Sequence, residues 1–233
     1  MNEAQARDEI CRVGRSLFER GYVHSTAGNI SMRLDAGAGG GFLITPTDSC
    51  LGFLEPSELA LVDSDGSQVG GKRASKTLAL HRRIYDATSE FDAPACCVIH
   101  THSTNCVAMT LRQPSRYFQG DGNASELLPP ATPYFVMKVG HVPVIPYGVP
   151  GSASVADGVV STIARYRERG VQLRAVMLER LGPTVWNADP GTAMATLEEL
   201  EETARLVFAL GADHAVLSES QIQELTKAFG VKW

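Results

Sequence analysis

Several scarcities in this chain each exclude a class of function. Basic charge is not in excess: 21 Lys and Arg stand against 26 Asp and Glu, for a net charge of −5. The charges are dispersed along the chain, so neither nucleic acid nor an anionic membrane is an expected partner. No apolar run approaches the ~18 residues of a membrane span. The first residues, Met1-Asn2-Glu3-Ala4-Gln5-Ala6-Arg7, lack the basic-then-apolar form of a signal peptide. Cysteines number five, an odd count with no C-x-x-C pair, and adjacent Cys96 and Cys97 would face opposite sides of a strand. That usage predicts neither a zinc knuckle nor a disulfide framework, but free thiols in a reducing cytoplasm. Repeats and low-complexity linkers are missing too. What remains, 44% apolar and 20% charged residues over 233 positions, fits a single globular domain spanning 1–233.

The most informative stretch is Cys96-Cys97-Val98-Ile99-His100-Thr101-His102. It reads as a short buried strand that runs into two histidines. Side chains alternate faces in an extended segment, so His100 and His102 point the same way, with Cα atoms about 6.5 Å apart. Two imidazoles so placed can share one metal ion. An inert, hydrogen-bonded strand end accounts for the spacing equally well.

Around this strand the chain alternates helices, strands and polar turns. Ile10, Val13, Leu17 and Phe18 recur at helical spacing over 3–20, and Gly21 is placed to end that helix. Thr26-Ala27-Gly28-Asn29-Ile30-Ser31 predicts a tight turn that leads into a strand and can present donors to an anion. The glycine-rich run 35–41 resembles a dinucleotide loop only superficially. A strand, Phe42 to Thr45, follows it where a helix start is needed. A second polar turn, Pro46 to Cys50, comes next. Ser75 is placed to cap a helix over 77–88 with Leu80, Ile84 and Ala87 inward, and Ser75 with Lys76 at a helix start favours an anion. His81 on that helix reads as a packed core histidine. Further on, Val142 to Pro146 predicts an edge strand, 175–179 and 184–186 a strand pair, 192–210 a helix with Leu197, Leu200, Ala204, Val207 and Phe208 inward, and 211–233 a tail helix.

This order, with Thr26-x-Gly28-Asn29-x-Ser31, Ile44-Thr45-Pro46-Thr47, Ser75-Lys76-x-x-x-x-His81 and His100-x-His102, resembles the class II aldolase/adducin family over about residues 5–210. Pro46 to Gly52, Thr132 to Met137 and Leu197 to Ala204 resemble, within it, members that decarboxylate 3-oxo-tetronate 4-phosphates. The resemblance implies an α/β three-layer fold, with a mixed, largely antiparallel sheet between helices, in a homotetramer. It implies a carbon–carbon lyase acting on a small phosphorylated sugar acid. A sugar-phosphate retro-aldolase and a non-catalytic adducin-like scaffold are the alternatives. Thr26, Asn29, Thr47, Ser75 and Lys76 are then the phosphate-binding residues, and Lys76, Thr77 and Tyr134 the catalytic candidates. A divalent ion, zinc in the family, would take His100 and His102. Two positions depart from the family pattern: its acid/base glutamate is Thr77 here, and its third histidine ligand is Leu181. Glu179, two residues before Leu181, offers a replacement carboxylate.

Overall fold

Asn2 opens the first helix, α1 (Glu3–Glu19), with a reciprocal cap. Its side chain accepts the Gln5 N–H at 2.9 Å, and the Gln5 side chain accepts the Asn2 N–H at 3.1 Å. Such a cap satisfies two donors that a helix start otherwise leaves open. Gly21 ends the helix at φ 76°, and the Tyr22 N–H returns to the Leu17 carbonyl at 2.9 Å. Ile10, Val13 and Leu17 are completely buried, as their spacing predicts.

The computed structural model describes residues 1–35, 37, 40–112, 118–119, 125–211 and 215–233. Parts of the glycine-rich run and of the irregular stretch 112–133 lie outside the described residues. The chain forms two compact units, the first of Met1–His102 with Trp186–Met194, the second of Ser103–Val185 with Ala195–Trp233.

In the first unit, β1 (Asn29–Arg33), β2 (Phe42–Ile44), β3 (Ala60–Val62), β4 (Gln68–Gly70) and β5 (Cys97–His100) run in the order β4-β3-β2-β1-β5, every pair antiparallel. Helix α2 (Leu78–Ala87) begins later than its sequence predicts. Its cap residue is Thr77, which makes no side-chain cap bond. Ser75 is therefore not the cap of α2: it lies two residues ahead of Thr77, its N–H is taken by the Thr45 carbonyl, and its carbonyl closes a separate turn with the Leu78 N–H. The buried stripe is also rotated, with Leu78, His81, Ile84 and Tyr85 inward and Leu80 and Ala87 only half-buried.

In the second unit come α3 (Thr104–Thr110), β6 (Phe118–Gln119), β7 (Ser125–Glu126), a π-type turn over Phe135–Val139, β8 (Val144–Ile145), α4 (Ala153–Glu168), β9 (Ala175–Leu178) and the first four residues of β10 (Gly182–Asn187). β9 and β10 form the expected antiparallel pair, and β8, flanked by Pro143 and Pro146, lies parallel to β9. The chain closes with α5 (Pro190–Leu210) and α6 (Glu219–Phe229). Leu197, Leu200, Ala204 and Val207 of α5 are buried as expected, but Phe208 is exposed, with the Arg112 guanidinium over its ring. Among the described residues no helix is long and apolar enough to cross a membrane.

Candidate active site

Three polar turns of the first unit are laced together by backbone hydrogen bonds. Thr45 binds Ile30 twice: its N–H donates to the Ile30 carbonyl at 3.0 Å and its hydroxyl accepts the Ile30 N–H at 3.2 Å. The Thr47 N–H donates to the Arg73 carbonyl at 2.9 Å, and the Ser75 N–H to the Thr45 carbonyl at 3.2 Å. Residues 29–30, 45–47 and 73–75 therefore lie side by side. The β1–β5 register sets Asn29 opposite His100, so the histidine strand meets the first of these turns, to which the other two are bonded.

Glycine is required at one point of this arrangement. Gly28 has φ +86°, and a Cβ there would stand 2.8 Å from the His100 carbonyl oxygen. Ser25 and Asp48, at φ 50° and 56°, hold left-handed conformations that side chains disfavour. Both belong to the turns that meet here.

Asn29 is 6% exposed, and its Oδ1 has no partner. A buried acceptor without a partner is costly unless a proton donor of a ligand, such as a substrate hydroxyl, engages it, while the Nδ2 of the same side chain is the group that can donate to an anion. Thr47 and Ser75 are half-buried, Thr26 and Lys76 exposed. The Ser75 and Thr77 hydroxyls share a hydrogen bond of 2.9 Å. The turns thus carry the hydroxyls of Thr47 and Ser75 and the Asn29 carboxamide, with Thr26 exposed in the first turn and Lys76 exposed beside Ser75, residue types suited to a phosphate dianion.

The rings of His100 and His102 are 5.1 Å apart, edge to face, which agrees with the shared face expected from alternation. Burial lowers the pKa of His102, and a neighbouring imidazole, His24, lowers it further. Both causes favour the neutral ring that binds metal. The sequence reading overlooked His24. The only signal for it was its place two residues ahead of the Thr26-x-Gly28-Asn29 motif. Among the described residues no group of three or more His, Cys, Asp or Glu side chains is gathered closely enough to hold a metal ion. The imidazole pair fits two positions of a metal shell and leaves the others to water or substrate oxygens. His81 is packed, as predicted. It is completely buried on α2, its Nδ1 is 2.8 Å from the Ser31 hydroxyl, and that hydroxyl is 2.6 Å from the Tyr85 hydroxyl.

Tyr134 and Glu179 belong to the second unit. Tyr134 is 62% exposed and precedes the 135–139 turn. The Thr132 hydroxyl accepts the Phe135 N–H at 3.0 Å and donates to Glu199 on α5 at 3.3 Å. Two of the stretches that carried the closer resemblance are thereby joined. Glu179 accepts the Tyr147 N–H at 2.9 Å. Glu201, 4% exposed, accepts the Asn105 and Cys106 N–H groups at 2.8 and 3.0 Å, supplying the start of α3 with a carboxylate.

This fold and these motifs are those of the class II aldolases. The sequence model of the Class II Aldolase and Adducin N-terminal domain matches residues 8–208, and the chain belongs to that family. Within it, the chain is 48% identical to the 3-oxo-tetronate 4-phosphate decarboxylase of Cupriavidus necator, over 99% of both chains. It is 36% identical to the protein of the same name from Escherichia coli K12, over 96% of each. Among solved structures, the Escherichia coli protein YgbL aligns with a TM-score of 0.79 at 34% identity, covering 96% of this chain and 98% of that one. An L-fuculose 1-phosphate aldolase aligns with a TM-score of 0.77 at 21% identity, covering 97% and 96%, which speaks for the fold alone.

Proposed function

We propose that this protein is a carboxy-lyase that converts a 3-oxo-tetronate 4-phosphate to dihydroxyacetone phosphate and carbon dioxide. The observation that carries the proposal is the junction of the first anion-suited turn with the strand that ends at His100, the other two turns being bonded to that first one, in a chain so similar to the named decarboxylases.

The substrate carboxylate is β to its ketone. Breaking the bond between C1 and C2 sends its electron pair into a C2–C3 enediolate, with the charge on the ketone oxygen, and a proton delivered to C2 completes dihydroxyacetone phosphate. The main requirement is a sink for that developing charge. Asn29, Thr47, Ser75 and Thr26 hold the phosphate and thereby fix C3 and C2 at the strand end. Lys76 grips the phosphate or returns the proton to C2, and Tyr134 is the second candidate donor. A divalent ion, held by His100 and His102 with water, would supply Lewis acidity to the ketone oxygen. The free state of all five cysteines supports a reducing, cytoplasmic setting. Exposed Leu206, Phe208 and Leu210 on α5 support a homo-oligomer.

Incubating the purified protein with candidate 3-oxo-tetronate 4-phosphates should release carbon dioxide and dihydroxyacetone phosphate in equal amounts. No release from any epimer, with or without added divalent metal, would refute the proposal. Lys76→Met should lower kcat by about two to four orders of magnitude if the lysine donates the proton. It should mainly raise KM if the lysine only grips phosphate. The metal is read separately: reconstituted wild type should retain more of it than the His100→Ala/His102→Ala double variant, and equal retention would remove the pair from the site.

A further inference from the structure

Helix α6 is held in place by very little of its own surface. None of its residues is buried, and an isolated helix of this length is marginal in water. Its position must come from attachments elsewhere. Ahead of it, the Leu217 N–H donates to the Pro130 carbonyl at 2.9 Å. Along it lies the 135–139 turn. Beyond it, Gly230 at φ 66° turns the chain, and the Trp233 ring stacks on the His141 ring at 4.3 Å and 29°.

The ring that receives Trp233 is itself fixed from below. His141 is 5% exposed, and its Nδ1 lies 2.7 Å from Oε1 of Glu126, which is 1% exposed. The Tyr166 hydroxyl, completely buried, donates to the same oxygen at 2.8 Å. The Leu127 N–H bonds the Val142 carbonyl at 2.8 Å, which pins β7 to the segment carrying His141. The proposed decarboxylation uses none of these groups. A buried carboxylate that spends two hydrogen bonds on one oxygen, and leaves Oε2 without a partner, is a costly arrangement. Its one evident result is an imidazole held at a fixed angle beneath an indole.

We infer that residues 217–233 form a strap latched by Trp233 on the His141 ring, and that His141, oriented by Glu126, is a positioning residue for the segment 130–141. Pro130 and His141, the two outer attachment points, bracket Tyr134. A closed strap restricts that tyrosine's backbone from both sides, and an open strap leaves it tied mainly through Thr132 to Glu199. The second half of this inference rests on the proposed role of Tyr134; the latch does not.

The protein contains two tryptophans, and Trp186 is 1% exposed, so acrylamide quenching reports on Trp233. In the wild type Trp233 should be partly protected, and His141→Ala should expose it. Loss of one aromatic stack shifts an equilibrium by about two- to ten-fold. Trp233→Ala should therefore raise amide hydrogen exchange by a factor of that order in 130–141 and 217–230 together, while β9 and β10 are unchanged. Trp233→Phe should restore protection. In the decarboxylation assay Trp233→Ala should lower kcat with little change in KM, and Trp233→Phe should recover it. Unchanged exchange in both segments, or a wild-type Trp233 as open to acrylamide as free tryptophan, would overturn the latch. Raised exchange with unaltered kcat and KM would overturn the link to Tyr134 and leave the latch standing.

Discussion

The residues of the proposed phosphate site make separable contributions, because each offers a different donor to the same dianion. A hydrogen bond to a charged group contributes roughly 1.5–3 kcal/mol, or about ten- to a hundred-fold in affinity. Ser75→Ala is expected to weaken phosphorylated ligands by that factor and to leave unphosphorylated analogues unchanged, as calorimetric titration of both would show. An equal loss for both ligands would mean that Ser75 shapes the turn through its Thr77 hydrogen bond and does not touch phosphate. His81 makes a different prediction at the same scale. Burial lowers its pKa from 6.5 to about 3. The unfolded chain therefore takes up the proton first, and stability that is complete above pH 6.5 is lost as pH falls from there toward 3. The slope from this one group is about 1.4 kcal/mol per pH unit. Urea unfolding at pH 7, 6 and 5 should give a shallower dependence for His81→Gln than for the wild type. Parallel dependences would assign the acid sensitivity to other groups.

The turns act as single elements, and Gly28 shows why. A methyl group at Gly28 meets the His100 carbonyl at 2.8 Å, in a backbone conformation that L-residues rarely adopt. Gly28→Ala must push the 24–28 turn away from β5, moving Thr26 and Asn29 together. We expect a destabilisation of about 1–3 kcal/mol and a loss of phosphate affinity greater than that of Thr26→Ala alone. Thermal unfolding and ligand titration of the two variants decide it, and affinity kept within two-fold in Gly28→Ala would refute the coupling. Such couplings also mark what the sequence could convey. Periodicity made α1, α5 and the β9–β10 pair legible, since Ile10, Val13, Leu197 and Val185 answer to the repeat of their own element. Alternation likewise placed His100 and His102 on one face. The start of α2 was misplaced because Ser75 answers to a tertiary partner, the Thr45 carbonyl, and not to the helix that follows. Phe208 sits at a core spacing near the end of α5, where the core has run out, and turns outward under Arg112. Neither His24 beside His102 nor Glu201 beneath α3 carries a local pattern. Both depend on segments distant in sequence.

At the scale of the whole molecule, the question is which direction of chemistry a class II aldolase framework supports if, as the family resemblance implies, Thr77 stands at the acid/base position. Synthesis of an aldol from dihydroxyacetone phosphate begins by removing a proton from carbon, which needs a base. Threonine is badly suited to that task, since its hydroxyl is held near neutrality of charge at any working pH and here is bonded to Ser75. Decarboxylation reaches the same enediolate by releasing carbon dioxide, and no carbon–hydrogen bond is broken on the way. A protein without the base should therefore keep one reaction and lose the other. Thr77→Ala is expected to retain kcat for decarboxylation within about ten-fold, with any rise in KM traceable to the loosened Ser75 hydroxyl. Wild-type protein mixed with dihydroxyacetone phosphate and short aldehydes should form little or no aldol product under conditions where decarboxylation is rapid. A fall in kcat of three orders of magnitude in Thr77→Ala would show that the hydroxyl takes part in proton transfer. Robust aldol synthesis without decarboxylation of any 3-oxo-tetronate 4-phosphate would return the protein to the aldolases whose fold it shares.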